Sequence, residues 1–309
     1  MRQGGAPPTG KWIGSPQGGV KAPDAIILPD PTTRFARTVA RLEALSTGHP
    51  MAEWLRFMAE LSRAQHVAAT ALACPAGMEE AAMEQAVAAG MPPLAAEVHR
   101  RDPIWRDGLG VLLDTLDRST LPTQVAVVMD GLRKCGAVDV EVLADGFLNC
   151  SISASEAGAA LYIAAALQVY FTALAAGLDV TTVQLHPQRG LCPCCGSTPV
   201  SGLITASGQT PGTRYLYCSL CSTAWNHVRA VCITCGGSRT LSIQGVEGDP
   251  GAVKAETCAE CHTYAKMLYQ AKDMQIDPFA DDLATLGLDV MVAEAGWARH
   301  APNPLLLVG

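Results

Sequence analysis

Eight of the chain's twelve cysteines fall into four Cys-x-x-Cys pairs: Cys192/Cys195, Cys218/Cys221, Cys232/Cys235 and Cys258/Cys261. Residues 196–217 separate the first two pairs and residues 236–257 the last two, so the whole pattern repeats with a shift of 40 residues. Two residues between cysteines let a tight turn aim both sulfurs at one point. Two such turns at the ends of a hairpin complete a tetrahedron of four thiolates, the arrangement that zinc or a single iron takes from a four-cysteine site. The repeat assigns Cys192, Cys195, Cys218 and Cys221 to one metal and Cys232, Cys235, Cys258 and Cys261 to a second. A nested scheme, joining the two middle pairs and then the outer two, ignores the repeat. Zinc would make the sites structural and supply folding energy to small β units, whereas iron would add a one-electron couple. Spacing leaves that choice open.

Smaller features distinguish the turns. Gly196 and Gly236 follow the second cysteine of their pairs, where glycine tolerates the left-handed backbone that points an amide at a thiolate. The late turns carry Ser222 and His262 instead, so the first turn of each ribbon is expected to be the better formed. Beyond ligands and glycines, the repeat keeps Thr223/Thr263 but sets Trp225 against Ala265, which predicts unequal solvent access at the two sites. Cys194 lies inside the first turn; it reads either as a solvent-facing residue without a role or as a redox-active or alternative ligand. His186, His227 and His262 read as surface histidines, because four cysteines are available per metal. Cys74, Cys135 and Cys150 lie in helical sequence and read as reduced, buried small hydrophobes. Cysteines spent on metal rather than disulfides point to a reducing cytoplasm.

The remaining sequence is long enough for a sizeable core. Residues 1–30 read as a flexible segment rich in Gly and Pro, with no apolar run resembling a signal peptide. Residues 31–188 read as a helical domain. Thr32 or Thr33 is placed to cap a helix through Phe35, Val39, Leu42 and Leu45 that ends at Gly48. Trp54, Leu55, Met58, Leu61 and Ala64 form one apolar face. A short helix over about 78–89 ends at Gly90, Leu94 and Val98 lead through Trp105 into Leu109, Leu112 and Leu116, and helices follow near 123–134 and 138–149. Ala157 to Leu178 carries no charge and is long enough to span a bilayer. It is rich in alanine, stands alone and lacks a flanking Lys/Arg cluster, so it reads as the central helix of a bundle.

Strand-like runs at 200–205, 214–217, 223–230, 240–243, 252–257 and 263–269 alternate with the cysteine turns. They give a first four-cysteine ribbon over 189–230 and a second over 231–271. Asp277-Pro278 then opens a last helix through Leu283, Leu286, Leu288, Val290 and Met291 within 272–309. The fold class is thus an all-α N-terminal domain, two tandem zinc-ribbon-like modules and a C-terminal helix. No nucleophile elbow, P-loop, dinucleotide fingerprint or zincin motif occurs, and the pairs Glu79-Glu80 and Asp281-Asp282 read as solvated helix starts. No enzyme constellation emerges. Net charge is −7, and residues 191–309 hold 7 Lys+Arg against 10 Asp+Glu. That balance argues against the phosphate-binding use of zinc ribbons.

The run Leu191-Cys-Pro-Cys-Cys-Gly-Ser-Thr-Pro-Val200, then Arg214-Tyr-Leu-Tyr-Cys-Ser-Leu-Cys221, Trp225 and Val231-Cys-Ile-Thr-Cys235, resembles the formate dehydrogenase accessory proteins of the FdhE type. So do Ala255-Glu-Thr-Cys258, Cys261-His-Thr-Tyr-Ala-Lys266, the tail Asp277-Pro-Phe-Ala-Asp-Asp-Leu-Ala-Thr-Leu286 and the helical stretch Trp54 to Gln65. The resemblance implies a cytoplasmic maturation factor, not an enzyme, that binds the catalytic subunit of formate dehydrogenase before export. It also implies rubredoxin-like sites, iron favoured over zinc, with the eight cysteines as ligands and neither nucleic acid binding nor membrane insertion. Cys194 and the long Gly/Pro-rich N-terminus depart from the family pattern without disturbing a ligand position.

Overall fold

The computed structural model describes residues 22–73, 75, 80–208, 210–249 and 251–306, and the expectations for residues 1–21, Cys74, Glu79 and the Ala76-Gly77 break lie outside them. Among the described residues, a two-residue strand comes first, seven α-helices follow, then six strands, two more helices and a last strand, the eight strands making one sheet.

Helix α1 (Pro31–Ser46) starts two or three residues earlier than the threonines suggested. Asp30 is the cap, its carboxylate accepting the Thr32 N–H at 2.9 Å, and Pro31 follows, where a missing N–H costs nothing. Gly48 adopts φ +73° just beyond the helix. Helix α2 (Ala52–Ala71) buries Leu55, Met58, Leu61 and Ala64 as its periodicity predicts. Helix α3 (Glu80–Ala88) precedes Gly90, at φ +68°. The apolar spacing of Leu94 and Val98 does not make a helix: α4 starts only at Ile104 and runs to Thr115. Leu94 is buried but Val98 is 72% exposed, and the Leu94 and Ala96 amides bond to the carbonyls of Cys194 and Cys195 instead. Helices α5 (Thr123–Lys134) and α6 (Ala137–Leu148) lie where expected. Cys135 and Cys150, expected inside, are exposed at the ends of these two helices.

Helix α7 (Ala157–Ala176) is the axis of this half. It is long and apolar enough to cross a membrane by length and composition, yet the run from Tyr162 to Thr172 is buried throughout. Helices α1, α2, α4, α5 and α6 all pack against it, which explains why its apolar residues form no stripe.

The sheet contains β1 (Ile26–Ile27), β2 (Pro199–Ile204), β3 (Arg214–Cys218), β4 (Ala224–Asn226), β5 (Leu241–Gln244), β6 (Val253–Cys258), β7 (Thr263–Tyr269) and β8 (Ala298–Arg299). Its order is β1-β4-β3-β2-β7-β6-β5, with β8 on β7. Residues 22–30, read as part of a flexible segment, are therefore placed: Ile26 pairs with Trp225 at the sheet edge. The two ribbons also join into one sheet through the parallel pair β2/β7, with Gly202 opposite Met267. A Cβ at Gly202 would sit 2.6 Å from the Met267 sulfur, so the seam needs a residue without a side chain.

After the sheet, the expected last helix is two: α8 (Ala280–Ala284) and α9 (Leu286–Glu294). Asp277 caps α8, accepting the amides of Phe279 and Ala280 at 3.0 and 2.9 Å and the Thr38 hydroxyl at 3.1 Å. The Asp282 carbonyl, near the break, is engaged by Lys266 Nζ at 2.8 Å. Asp281 and Asp282 are not solvated; both are buried. Asp281 pairs with Arg41 of α1 at 2.6 Å. Asp282 lies 3.4 Å from Lys266, and Asn303 donates to it at 2.6 Å. Burial raises the Asp282 carboxyl, but Lys266, Arg299 and Asn303 outweigh it and hold the group below its ordinary range.

Candidate metal centres

The eight cysteines converge as the repeat predicts and not as the nested scheme would have it. Cys192, Cys195, Cys218 and Cys221 form one group of sulfurs and Cys232, Cys235, Cys258 and Cys261 another, each within 4.8 Å throughout. In the first, Cys192 and Cys221 sulfurs are 3.5 Å apart and those of Cys195 and Cys218 3.4 Å. In the second, Cys232 to Cys261 and Cys235 to Cys258 are both 3.7 Å. A tetrahedron with metal–sulfur legs of about 2.3 Å has sulfur–sulfur edges of about 3.8 Å. Both groups therefore have the donor chemistry and the size to hold one thiophilic metal ion each.

Both centres are built from the same local parts. Gly196 and Gly236 take φ of +80° and +75°, and their amides bond back to the carbonyls of Cys192 and Cys232, both at 3.0 Å. The late turns do the same without glycine, against expectation: Ser222 has φ +61° and His262 +54°. All four turns are thus left-handed after the second cysteine, which costs most where a Cβ is present. Amides point at sulfur in both: Leu220 and Cys221 at Cys218 (3.4 and 3.3 Å), Thr234 at Cys232 and Gly237 at Cys235 (3.4 Å each). The repeated threonine has a function too. Thr223 Oγ1 accepts from the Cys221 thiol at 3.2 Å, and Thr263 Oγ1 lies 3.1 Å from the Cys261 sulfur, so each hydroxyl packs against a ligand sulfur.

The surroundings differ. All four sulfurs of the first centre belong to residues at most 1% exposed, within the same core as α7. In the second, Cys232 and Cys258 are buried, Cys261 is half-buried and Cys235 is exposed. Trp225 is buried in the same core as the first, its indole N–H donating to the Arg189 carbonyl at 2.9 Å. Gln168 of α7 donates to the Ser219 carbonyl at 2.8 Å and in turn accepts from Gln65 of α2 at 2.8 Å. Ser222 Oγ bonds Arg34 of α1 at 3.0 Å and Thr172 of α7 at 3.1 Å.

Charge within the first centre is uneven. Burial pushes the thiols of Cys192, Cys218 and Cys221 up. Burial acts the same way on Cys195, but hydrogen bonds from Cys192, Cys218 and Cys221 outweigh it and hold Cys195 well below the usual thiol range. In the second centre burial likewise opposes ionisation of Cys258, yet the Cys261 amide and the Thr240 hydroxyl bring it down to about 6. At Cys235 the Gly237 amide favours the thiolate, but burial and hydrogen bonds to Cys232, Cys261 and Cys258 prevail and push it to about 12. Four thiolates in so small a volume require a cation to offset their repulsion.

Cys194 does not face solvent; it is buried in the core beside the first centre and outside its group of four. His186 is half-buried and His262 exposed. His227 is not a surface residue: it is 4% exposed, with Nδ1 2.7 Å from Arg214 Nη2. His300, which no motif marked, sits 2.7 Å from Thr234 Oγ1, and that hydroxyl is 2.8 Å from Thr263 Oγ1. A hydrogen-bonded row therefore leads from His300 to the Cys261 sulfur.

Three family models match in chain order: FdhE, N-terminal, over residues 23–187; FdhE, central domain, over 191–229; and FdhE, C-terminal domain, over 230–306. The Protein FdhE homolog of Edwardsiella ictaluri is 40% identical over 286 residues, 92% of each chain. That of Serratia proteamaculans is 37% identical over 276 residues, 89% of this chain and 88% of the relative. The crystal structure of the FdhE protein from Pseudomonas aeruginosa superposes with a TM-score of 0.82 at 33% identity, covering 93% of this chain and 100% of that one. Matched along its helical half, its sheet and both cysteine groups, the chain belongs to the FdhE family.

Proposed function

We propose that this chain is a cytoplasmic accessory protein that binds the immature catalytic subunit of formate dehydrogenase and is needed for that enzyme's activity, without being an enzyme itself. The observation that carries this reading is the assembly of eight cysteines into two four-sulfur centres within an FdhE-family fold. The ligands are Cys192, Cys195, Cys218 and Cys221 for one metal and Cys232, Cys235, Cys258 and Cys261 for the other, with iron favoured. Iron held by four thiolates supplies a one-electron couple; zinc would supply folding energy alone. Around the metals, the chain's own residues donate amide and hydroxyl hydrogen bonds to sulfur and keep water from the first centre. A structural zinc reading, with the ribbons serving only to dock, draws support from the complete burial of that first centre.

The test is a strain lacking this gene, complemented with the wild-type chain or with Cys→Ser variants in both centres. The wild type restores formate-dependent dye reduction and copurifies with the catalytic subunit, and the variants do not. Full activity with both centres substituted would reject the reading. Protein purified without added metal and assayed for iron and zinc decides the metal: a ferric tetrathiolate is coloured, and a colourless protein with zinc in both centres would leave docking without redox.

A further inference from the structure

We infer that the two centres are kinetically unequal: the centre at Cys232, Cys235, Cys258 and Cys261 exchanges its metal with solvent and soft chelators, while the centre at Cys192, Cys195, Cys218 and Cys221 releases its metal only when its turns part from the helical layer. This rests on both centres holding metal, as proposed above.

Exchange at a four-thiolate ion starts when an incoming donor reaches the metal or when one thiolate leaves to solvent. Either event needs an accessible sulfur. The second centre offers the exposed Cys235 and the half-buried Cys261. The first offers none. Its turns are also held from outside by the helical layer. The amides of Leu94 and Ala96 bond the carbonyls of Cys194 and Cys195 at 2.8 and 2.9 Å. Gln168 holds Ser219, and Arg34 and Thr172 hold Ser222. Opening this centre requires the turns to part from α1, α7 and the 91–103 segment together. The turns of the second centre are tied within the sheet-bearing half, Thr234 to Thr263 and His300, and the Ala259 amide to the Thr240 carbonyl at 3.1 Å. Amide–sulfur bonds span 3.3–3.4 Å at both centres, so access and not donor strength separates them.

The full chain is loaded with zinc, its metal content is measured, and excess 4-(2-pyridylazo)resorcinol is added. One equivalent is expected to leave in a fast phase. The second follows at least roughly a hundredfold more slowly, because it waits on a local opening, and merges with the first in denaturing urea. In parallel, a brief iodoacetamide pulse followed by peptide mapping should mark Cys235 and Cys261 while Cys192, Cys195, Cys218 and Cys221 stay unmodified. The exposed Cys135 and Cys150 report that the reagent was active. Two equivalents leaving in one phase, or adducts appearing first on the buried centre, would overturn the inference alone. A chain that binds no zinc at either centre fails the metal reading itself. If a single equivalent is bound, protection of the first centre's peptides supports the inference and protection of the second's overturns it.

Discussion

Arg214 of β3 and Glu256 of β6 form an ion pair at 2.7 Å, linking the strand before one metal-binding turn to the strand before another. The guanidinium is 1% exposed and also donates to the carbonyls of Val228 and Val231, the latter at 2.6 Å. It thereby holds the segment that leads into Cys232. Arg214→Met is expected to destabilise the chain by about 3 kcal/mol in urea unfolding, since it leaves a half-buried carboxylate and two carbonyls unpaired. Faster amide exchange should follow around Val231 to Cys235. A loss within about 0.5 kcal/mol, as for an ordinary surface change, would show that the pair carries no structural weight.

His227 gives a pH dependence with a defined sign. Nδ1 of His227 faces both Arg214 Nη2 at 2.7 Å and the Val228 carbonyl at 3.0 Å. Burial first, and the Arg214 charge second, hold its pKa down to about 4. The unfolded histidine takes up a proton below about pH 6.5 and the folded one does not until about 4. This contribution to stability is complete above 6.5, falls as pH drops from 6.5 to 4, and changes no further below that. The full span is about 2–3 kcal/mol. Urea midpoints of the wild type and His227→Gln, compared from pH 7.5 to 4, should show a difference that varies over this window; a constant difference would refute the assignment.

Gln65, Gln168 and the Ser219 carbonyl form a buried relay from α2 through α7 into the Cys218–Cys221 turn. Gln168→Ala should cost about 2 kcal/mol by leaving the Ser219 carbonyl and one of the two Gln65 amide hydrogens unpaired, the other still donating to the Ala165 carbonyl at 3.0 Å. Gln65→Leu combined with Gln168→Leu should cost less than the two single changes added together, because the Gln65–Gln168 bond is lost only once and neither glutamine is left facing an apolar side chain. Strict additivity in that cycle would mean the glutamines act independently.

Two residues with left-handed backbones should respond to glycine in opposite ways. Ala230 has φ +57° and an exposed methyl group, so Ala230→Gly is expected to stabilise the chain by about 0.5–1 kcal/mol. Ser222 has φ +61° but bonds Arg34 and Thr172, so Ser222→Gly should destabilise despite relieving the same strain. Thermal melting of both variants decides, and a shift of the same sign in each would contradict the account.

The metal centres were legible because ligand geometry is written in local spacing: two residues between cysteines and an equal interval in each half. The apolar face of α2 was legible for the same reason, since periodicity is local, and α7 was legible from its unbroken apolar length. What could not be read depended on partners far along the chain. Asp281 and Asp282 look like a solvated pair until Arg41, Lys266 and Arg299 are placed around them. Ile26 and Ile27 are too few to show a strand pattern and become one by pairing with Trp225 and Ala224. Leu94 and Val98 imitate a helix, but Pro92-Pro93 and Pro103 limit the segment and its amides serve the cysteine turn. The joining of two ribbons across Gly202 and Met267 has no local signature at all.

Thr38 and Arg41 find their acidic partners at Asp277 and Asp281, so the first helix of the fold is completed by one of its last segments. On the ribosome, where the chain emerges in order, these contacts have the longest wait of any described here. Loops of that length close slowly. The side of α1 that faces α8 is therefore completed only after both sets of cysteines have emerged, and a chain that stalls before residue 277 lacks the carboxylates that fasten this side.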